Sequence, residues 1–217
     1  MILPRRRLLQ SAPAAALAAC GSAPPARYWR LAPLSGGTFA TPAWSVQVRN
    51  IGLPGYLQQN SGILLPSGQY QIAAAANDLW AAPLAPMLQS VLVQDLSQRL
   101  PQTTVTASSG MVGIPADILV ELDVLRFDPD GSGRITLRAQ LGLKDAANNR
   151  FLATRLLEYA SASAVPIAGA PGTARDLTGL VATMSALWAA LADAIARLIA
   201  RTDLPAPDVS EPDGSSG

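Results

Sequence analysis

Carboxylates stand at two spacings that could do chemistry. Glu121 and Asp123 lie two residues apart in an alternating stretch, so on a strand they share a face, and paired carboxylates can run acid–base catalysis. Asp128-Pro129-Asp130-Gly131-Ser132-Gly133-Arg134-Ile135 matches the first eight positions of a calcium-binding loop. The position that should supply that loop's bidentate glutamate is Ala139, and both flanks alternate like strands where helices are required. The segment is therefore read as a hairpin turn. Glu121 and Asp123 are read as the solvated face of a half-buried strand, with which Arg134 and Arg138 of the next strand could pair across the sheet. The chain has no histidine and one cysteine, which excludes a Ser-His-Asp triad, a Cys-His dyad, a His-ligated zinc and an intramolecular disulfide. Gly-x-Ser-x-Gly is absent, and no glycine-rich phosphate loop follows a strand. No catalytic residue, cofactor or metal is expected.

The one cysteine is placed for a different reaction. Arg5, Arg6 and Arg7 precede a short apolar stretch that ends in Leu17-Ala18-Ala19-Cys20-Gly21. The stretch is too short to span a bilayer. It resembles the bacterial lipobox, in which small residues fit the subsites of a signal peptidase and the cysteine thiol accepts diacylglycerol. Residues 1–19 are then a signal peptide, and Cys20 is the lipidation site. Several buried acyl chains, at ~0.8 kcal/mol per methylene, hold such a protein firmly. Arg5-Arg6-Arg7-Leu8-Leu9 also resembles a twin-arginine signal, and an ordinary Sec leader would read much the same. In the lipoprotein sorting pattern, Gly21 and Ser22 after the cysteine imply the outer membrane, facing the periplasm.

About 198 residues follow the leader, enough for one domain with a core. Apolar residues are 49% and charged residues 14%, the net charge is +1, and no basic block follows Arg7. A nucleic-acid surface has no electrostatic footprint here. Residues 20–27 read as a tether, 28–201 as the domain and 202–217 as a disordered tail. Strands are predicted at Tyr28–Leu31 and Trp44–Ile51, followed by a turn at Leu53–Leu57. A hairpin about Pro66-Ser67-Gly68 comes next. Asn77 and Asp78 can cap a helix that starts between Leu79 and Pro86 and ends at Pro101, with Asp95 and Arg99 on its polar side. Thr103–Thr106 is a short strand. Residues 117–127, 134–143 and 151–165 form a meander, and a long apolar-striped helix covers about 174–201. That helix is read as packing on the sheet. The order predicts a two-layer α+β fold within the α/β class: a mixed, mostly antiparallel sheet with two helices on one face. Trp80 and Trp188 are expected between helices and sheet.

Three segments together resemble the ABC-type transport auxiliary lipoproteins, the PqiC/YmbA-like family. They are Tyr28-Trp29-Arg30-Leu31, then Val46-Gln47-Val48 leading into Leu53-Pro54-Gly55-Tyr56-Leu57, and Asn77-Asp78-Leu79-Trp80-Ala81-Ala82-Pro83-Leu84. Asp78-Leu79 and Ala82 depart from the polar residues usual around that tryptophan. The resemblance implies a non-catalytic component beside an ABC transporter and its MCE-domain protein, in lipid or solute traffic. Leu53, Pro54, Tyr56, Leu57 and Trp80 are the candidate partner-binding residues, since Pro54 stiffens the turn and Tyr56 offers an aromatic handle. Core anchorage of Tyr56 and Trp80 explains the same residues equally well. The alternative to docking is a lipoprotein that encloses a lipid itself, which needs a large apolar cavity. An envelope hydrolase using carboxylates is the least favoured reading. Self-association into a homo-oligomer is left open.

Overall fold

Two long alternating segments build the framework. β6 (Ile118–Pro129) and β7 (Ile135–Asp145) pair antiparallel, and Ile135, Leu137, Ala139, Leu141 and Leu143 of β7 are fully buried on one face. In the turn between them Asp130 Oδ1 accepts the Ser132 hydroxyl and the backbone N–H groups of Ser132 and Arg134, which holds its carboxyl below the ordinary value. Gly133 takes φ +84°, a conformation that suits glycine. β8 (Phe151–Ala160) pairs antiparallel with β7. β2 (Ser45–Val48) runs parallel to β6, and β5 (Thr104–Ala107) parallel to β2, giving the order β5-β2-β6-β7-β8. The fold is described for residues 25–68, 70–110, 113–166 and 176–204 of a computed structural model. Cys20 and the leader, most of the tether, the loop expected at 169–172 and most of the tail lie outside these residues.

The class is the expected one, mixed α/β in two layers, but its strands divide between two sheets. β1 (Arg27–Trp29), β3 (Gly62–Pro66) and β4 (Ile72–Trp80) form a smaller sheet in the order β1-β4-β3. The outer edge of β6 is already taken. β2 pairs there, and the chain after it bridges Gly52 to Asp123, so that edge is occupied from Ile118 to Val124 and the hairpin pairs with β1 instead.

α2 (Leu84–Arg99) and α3 (Thr178–Ala200) pack on each other, and on opposite halves of the larger sheet: α2 on β5 and β2, α3 on β7 and β8. α3 is long and apolar enough to cross a membrane, but its apolar residues lie in the core. Trp188 is fully buried and stacks on Phe127 of β6, with ring centroids 5.8 Å apart.

Three local expectations change. Asn77 and Asp78 do not cap α2, because β4 runs through to Trp80 and the Asp78 carboxylate is held by β1. α2 begins at Leu84, within the expected window, and Pro83 stands at its cap, where a proline ring costs no helical hydrogen bond. Asp95 and Arg99 are buried rather than solvated, because residues 34–39 and α3 cover that side of α2. Arg99 donates to Asp193 Oδ1 and to the carbonyls of Leu34, Asp95 and Ala189. A Cβ at Gly36 would overlap the Arg99 guanidinium, so that close approach needs glycine. β8 ends at Ala160 rather than reaching Val165.

Candidate docking surface

The turn singled out by sequence continues the line of β2 along β6. Val46 lies opposite Ile118, Val48 opposite Val120 and Gly52 opposite Asp123, and the chain then enters α1 (Gly55–Gln58), a single helical turn. Leu57 points into the core at 5% exposure. Leu53, Pro54 and Tyr56 are half-buried, and Gly55 is exposed. The Tyr56 hydroxyl donates to Asp128 Oδ2 at 2.5 Å, and Arg126 Nε donates to the other carboxylate oxygen at 2.8 Å. Burial, then the Asp128 carboxylate, push the Tyr56 phenol well above its ordinary value. Tyr56 is thus fixed by β6 and offers only part of its ring to solvent.

Trp80 is a core residue, 7% exposed. Its segment meets Tyr28–Leu31 directly, since Trp29 lies opposite Trp80 in the parallel β1–β4 pair. Asp78 accepts Trp29 Nε1 at 2.8 Å and pairs with the Arg27 guanidinium at 2.7 Å. Two of the segments that carried the resemblance therefore form one structural clasp. Leu57 and Trp80 leave little side-chain surface for a partner, whereas Leu53, Pro54 and Tyr56 retain some.

The face of β6–β7–β8 opposite the helices holds the other candidate surface. A concavity of about 690 Å³ opens there, floored by Gly142 and walled by Arg49, Asn50, Glu121, Asp123, Gln140 and Phe151. Gly142 makes room for the Phe151 ring, which is 55% exposed. Lys144 Nζ sits 3.0 Å from the Glu121 carboxylate and 4.6 Å from the Phe151 ring centre. Arg134 and Arg138 are not the partners of Glu121 and Asp123. The register sets Glu121 opposite Gly142 and Asp123 opposite Gln140, and Arg138 lies 3.7 Å from Glu158. Gly52 lines the same concavity, so the Leu53–Tyr56 turn leaves directly from its rim. Phe151 and Gly142 were not singled out by sequence. The available signal was a glycine on the polar face of β7 and a large apolar residue just beyond the Asn148-Asn149 turn.

Residues 31–196 match the family described as the ABC-type transport auxiliary lipoprotein component. The chain belongs to the ABC-type transport auxiliary lipoprotein family. It is therefore an auxiliary component of ABC-type transport, a lipid-anchored protein of the cell envelope. Two solved structures share the fold. One, described as an uncharacterized protein, is 21% identical with a TM-score of 0.63, covering 81% of this chain and 99% of that one. The other, protein XCC0632 from Xanthomonas campestris, is 18% identical with a TM-score of 0.60, covering 81% and 96%. No curated protein matches the sequence.

Proposed function

We propose that this auxiliary lipoprotein is lipidated at Cys20, stands on the outer membrane facing the periplasm, and docks an MCE-domain protein of an ABC-type transporter. The contact surface is the open face of the larger sheet, from the Leu53–Tyr56 turn across the concavity to Phe151. One observation carries this reading. The face opposite the helices leaves two large apolar side chains, Phe151 at 55% and Leu156 at 54% exposure, beside a polar concavity. An aromatic anchor within a polar rim is what a protein contact uses. The lining speaks against enclosing a lipid. An acyl chain there would strip water from Arg49, Glu121 and Asp123 without replacing their hydrogen bonds. The action is positional: the anchor fixes the domain at the bilayer, and docking brings the partner to it.

The test is co-purification of the lipidated protein with the MCE-domain protein encoded beside it. Phe151→Ser and Tyr56→Ala should each weaken recovery, Phe151→Ser by about tenfold, the loss expected of one contact residue worth ~1.4 kcal/mol. Phe151→Ser should leave the melting temperature within a few degrees, and palmitate labelling should be lost only in Cys20→Ala. Wild-type protein that recovers no MCE partner would sink the docking reading.

A further inference from the structure

We propose that the tip of the β3–β4 hairpin, with Tyr70 and Ile72, is a second membrane contact that lies on the same bilayer as the lipid of Cys20. The inference rests on the anchoring of Cys20 proposed above, and four observations carry it.

The first is direction. β1 runs parallel to β4, with Arg27 opposite Asp78 and Trp29 opposite Trp80, so the chain upstream of Arg27 arrives from the side of Ile72. The second is length. Ile72 precedes Asp78 by six residues, ~20 Å along a strand at ~3.3 Å per residue. Cys20 precedes Arg27 by seven residues, a reach of at most ~25 Å at ~3.6 Å per residue. The anchor can therefore come level with the hairpin tip but not far past it. An acylated Cys20 brings this end of the domain to the membrane.

The third observation is chemistry. Tyr70 is 91% and Ile72 49% exposed, and Ala73 and Ala74 beside them are exposed as well. No charged residue occurs from Asn50 to Asn77, so the hairpin carries no ionised side chain whose desolvation would oppose insertion. A tyrosine with an apolar neighbour suits the headgroup level of a bilayer, where the ring is buried and the hydroxyl stays wet. The fourth is the placement of the rest of the molecule. Pro66 of the hairpin lies with the β6–β7 turn, Gly131–Gly133, around one surface depression. The docking concavity involves Glu121 to Asp123, six residues or more before Pro129 and so ~20 Å further up β6. A domain resting on its hairpin tip holds the concavity away from the lipid and toward the periplasm. The lipid alone would leave the domain free to turn about its tether, and the second contact fixes which end faces a partner.

The test supplies the anchor chemically, so that it does not depend on whether cells lipidate Cys20. The chain from Cys20 onward is coupled through its only thiol to phosphatidylcholine vesicles bearing maleimide lipid. Amide hydrogen exchange is then compared with that of the same protein capped with free maleimide. Exchange over residues 70–74 should slow roughly tenfold on the vesicles, while β7 is unchanged. Tyr70→Ser combined with Ile72→Ser should abolish that slowing without shifting the melting temperature. Equal exchange on and off vesicles overturns the proposal, as does slowing that persists in the double variant. Slowing that appears without vesicles when the capped protein is concentrated assigns the tip to a second copy and overturns it too. Loss of palmitate labelling in cells, with vesicle protection intact, would count against the Cys20 reading alone.

Discussion

The two faces of β7 come from alternate residues of one strand yet have opposite environments. Ile135, Leu137, Ala139, Leu141 and Leu143 lie on the side covered by α3 and are fully buried, whereas Arg138 and Gln140 are exposed and Lys144 is half-buried. On the covered side each side chain meets others in close packing, so loss of volume costs transfer energy and leaves a cavity. On the open side water replaces what a substitution removes, and the residues are free to serve recognition. Stability and docking are therefore divided between the two faces, and substitutions should separate them.

The largest effect is expected on the covered side. Trp188→Ala removes a fully buried ring stacked on Phe127 and should cost ~3–5 kcal/mol in urea unfolding. Phe151→Ala, made in parallel on the open face, should cost under ~1 kcal/mol, as exposed sites do. Equal losses would remove the distinction between the faces.

A smaller effect concerns charge buried beneath the helices. Burial pushes the Asp95 carboxyl above its ordinary value, opposed by the Leu34 N–H and by Arg99. Its folded acidity is weaker than its unfolded acidity, so over that interval the native state holds the proton more tightly. The contribution is most favourable below the ordinary carboxylate value of about 3.9 and is lost as pH rises through the raised value. Asp95→Asn keeps an oxygen for the Leu34 N–H and removes the titration. Urea midpoints from pH 4 to 7 should therefore rise relative to wild type as pH increases; parallel profiles would show that Asp95 is paid no such penalty by its surroundings.

The smallest effect is on the open face. Lys144→Ala removes the 3.0 Å ion pair with half-exposed Glu121 and the contact with Phe151. The loss should be at most ~1 kcal/mol and should shrink with added salt. A salt-independent loss of several kcal/mol would mean that the open face also carries the fold.

Alternation made the meander readable. Ile118 to Val124 and Ile135 to Leu143 repeat with the period of a strand, and local sequence suffices when one face is buried and the other wet. The stripe of α3 was readable for the same reason. The cap of α2 was not, although its start at Leu84 fell within the expected window. Asp78 can cap a helix or accept a cross-strand hydrogen bond, and the choice depends on Arg27 and Trp29, some fifty residues away. The docking surface was half visible. Pro54 and Tyr56 stood out as a stiff turn with an aromatic, but the burial of Leu57 and Trp80 and the meeting of Gly52, Gly142 and Phe151 required the register of four chain segments.

By itself the sequence determined the class of the fold, the strand and helix periods, the exclusion of histidine- and thiol-based catalysis in the domain, and the family resemblance. All of these follow from residue type and local spacing. The tertiary structure decided what depends on contacts distant in sequence. It divided the strands between two sheets, with β2 and the chain after it along the outer edge of β6 and the hairpin paired with β1. It turned Asp95 and Arg99 inward because α3 and the 34–39 segment cover that side of α2. Periodicity tells a residue which face it shares, but only the packing of whole elements decides whether that face meets water or protein.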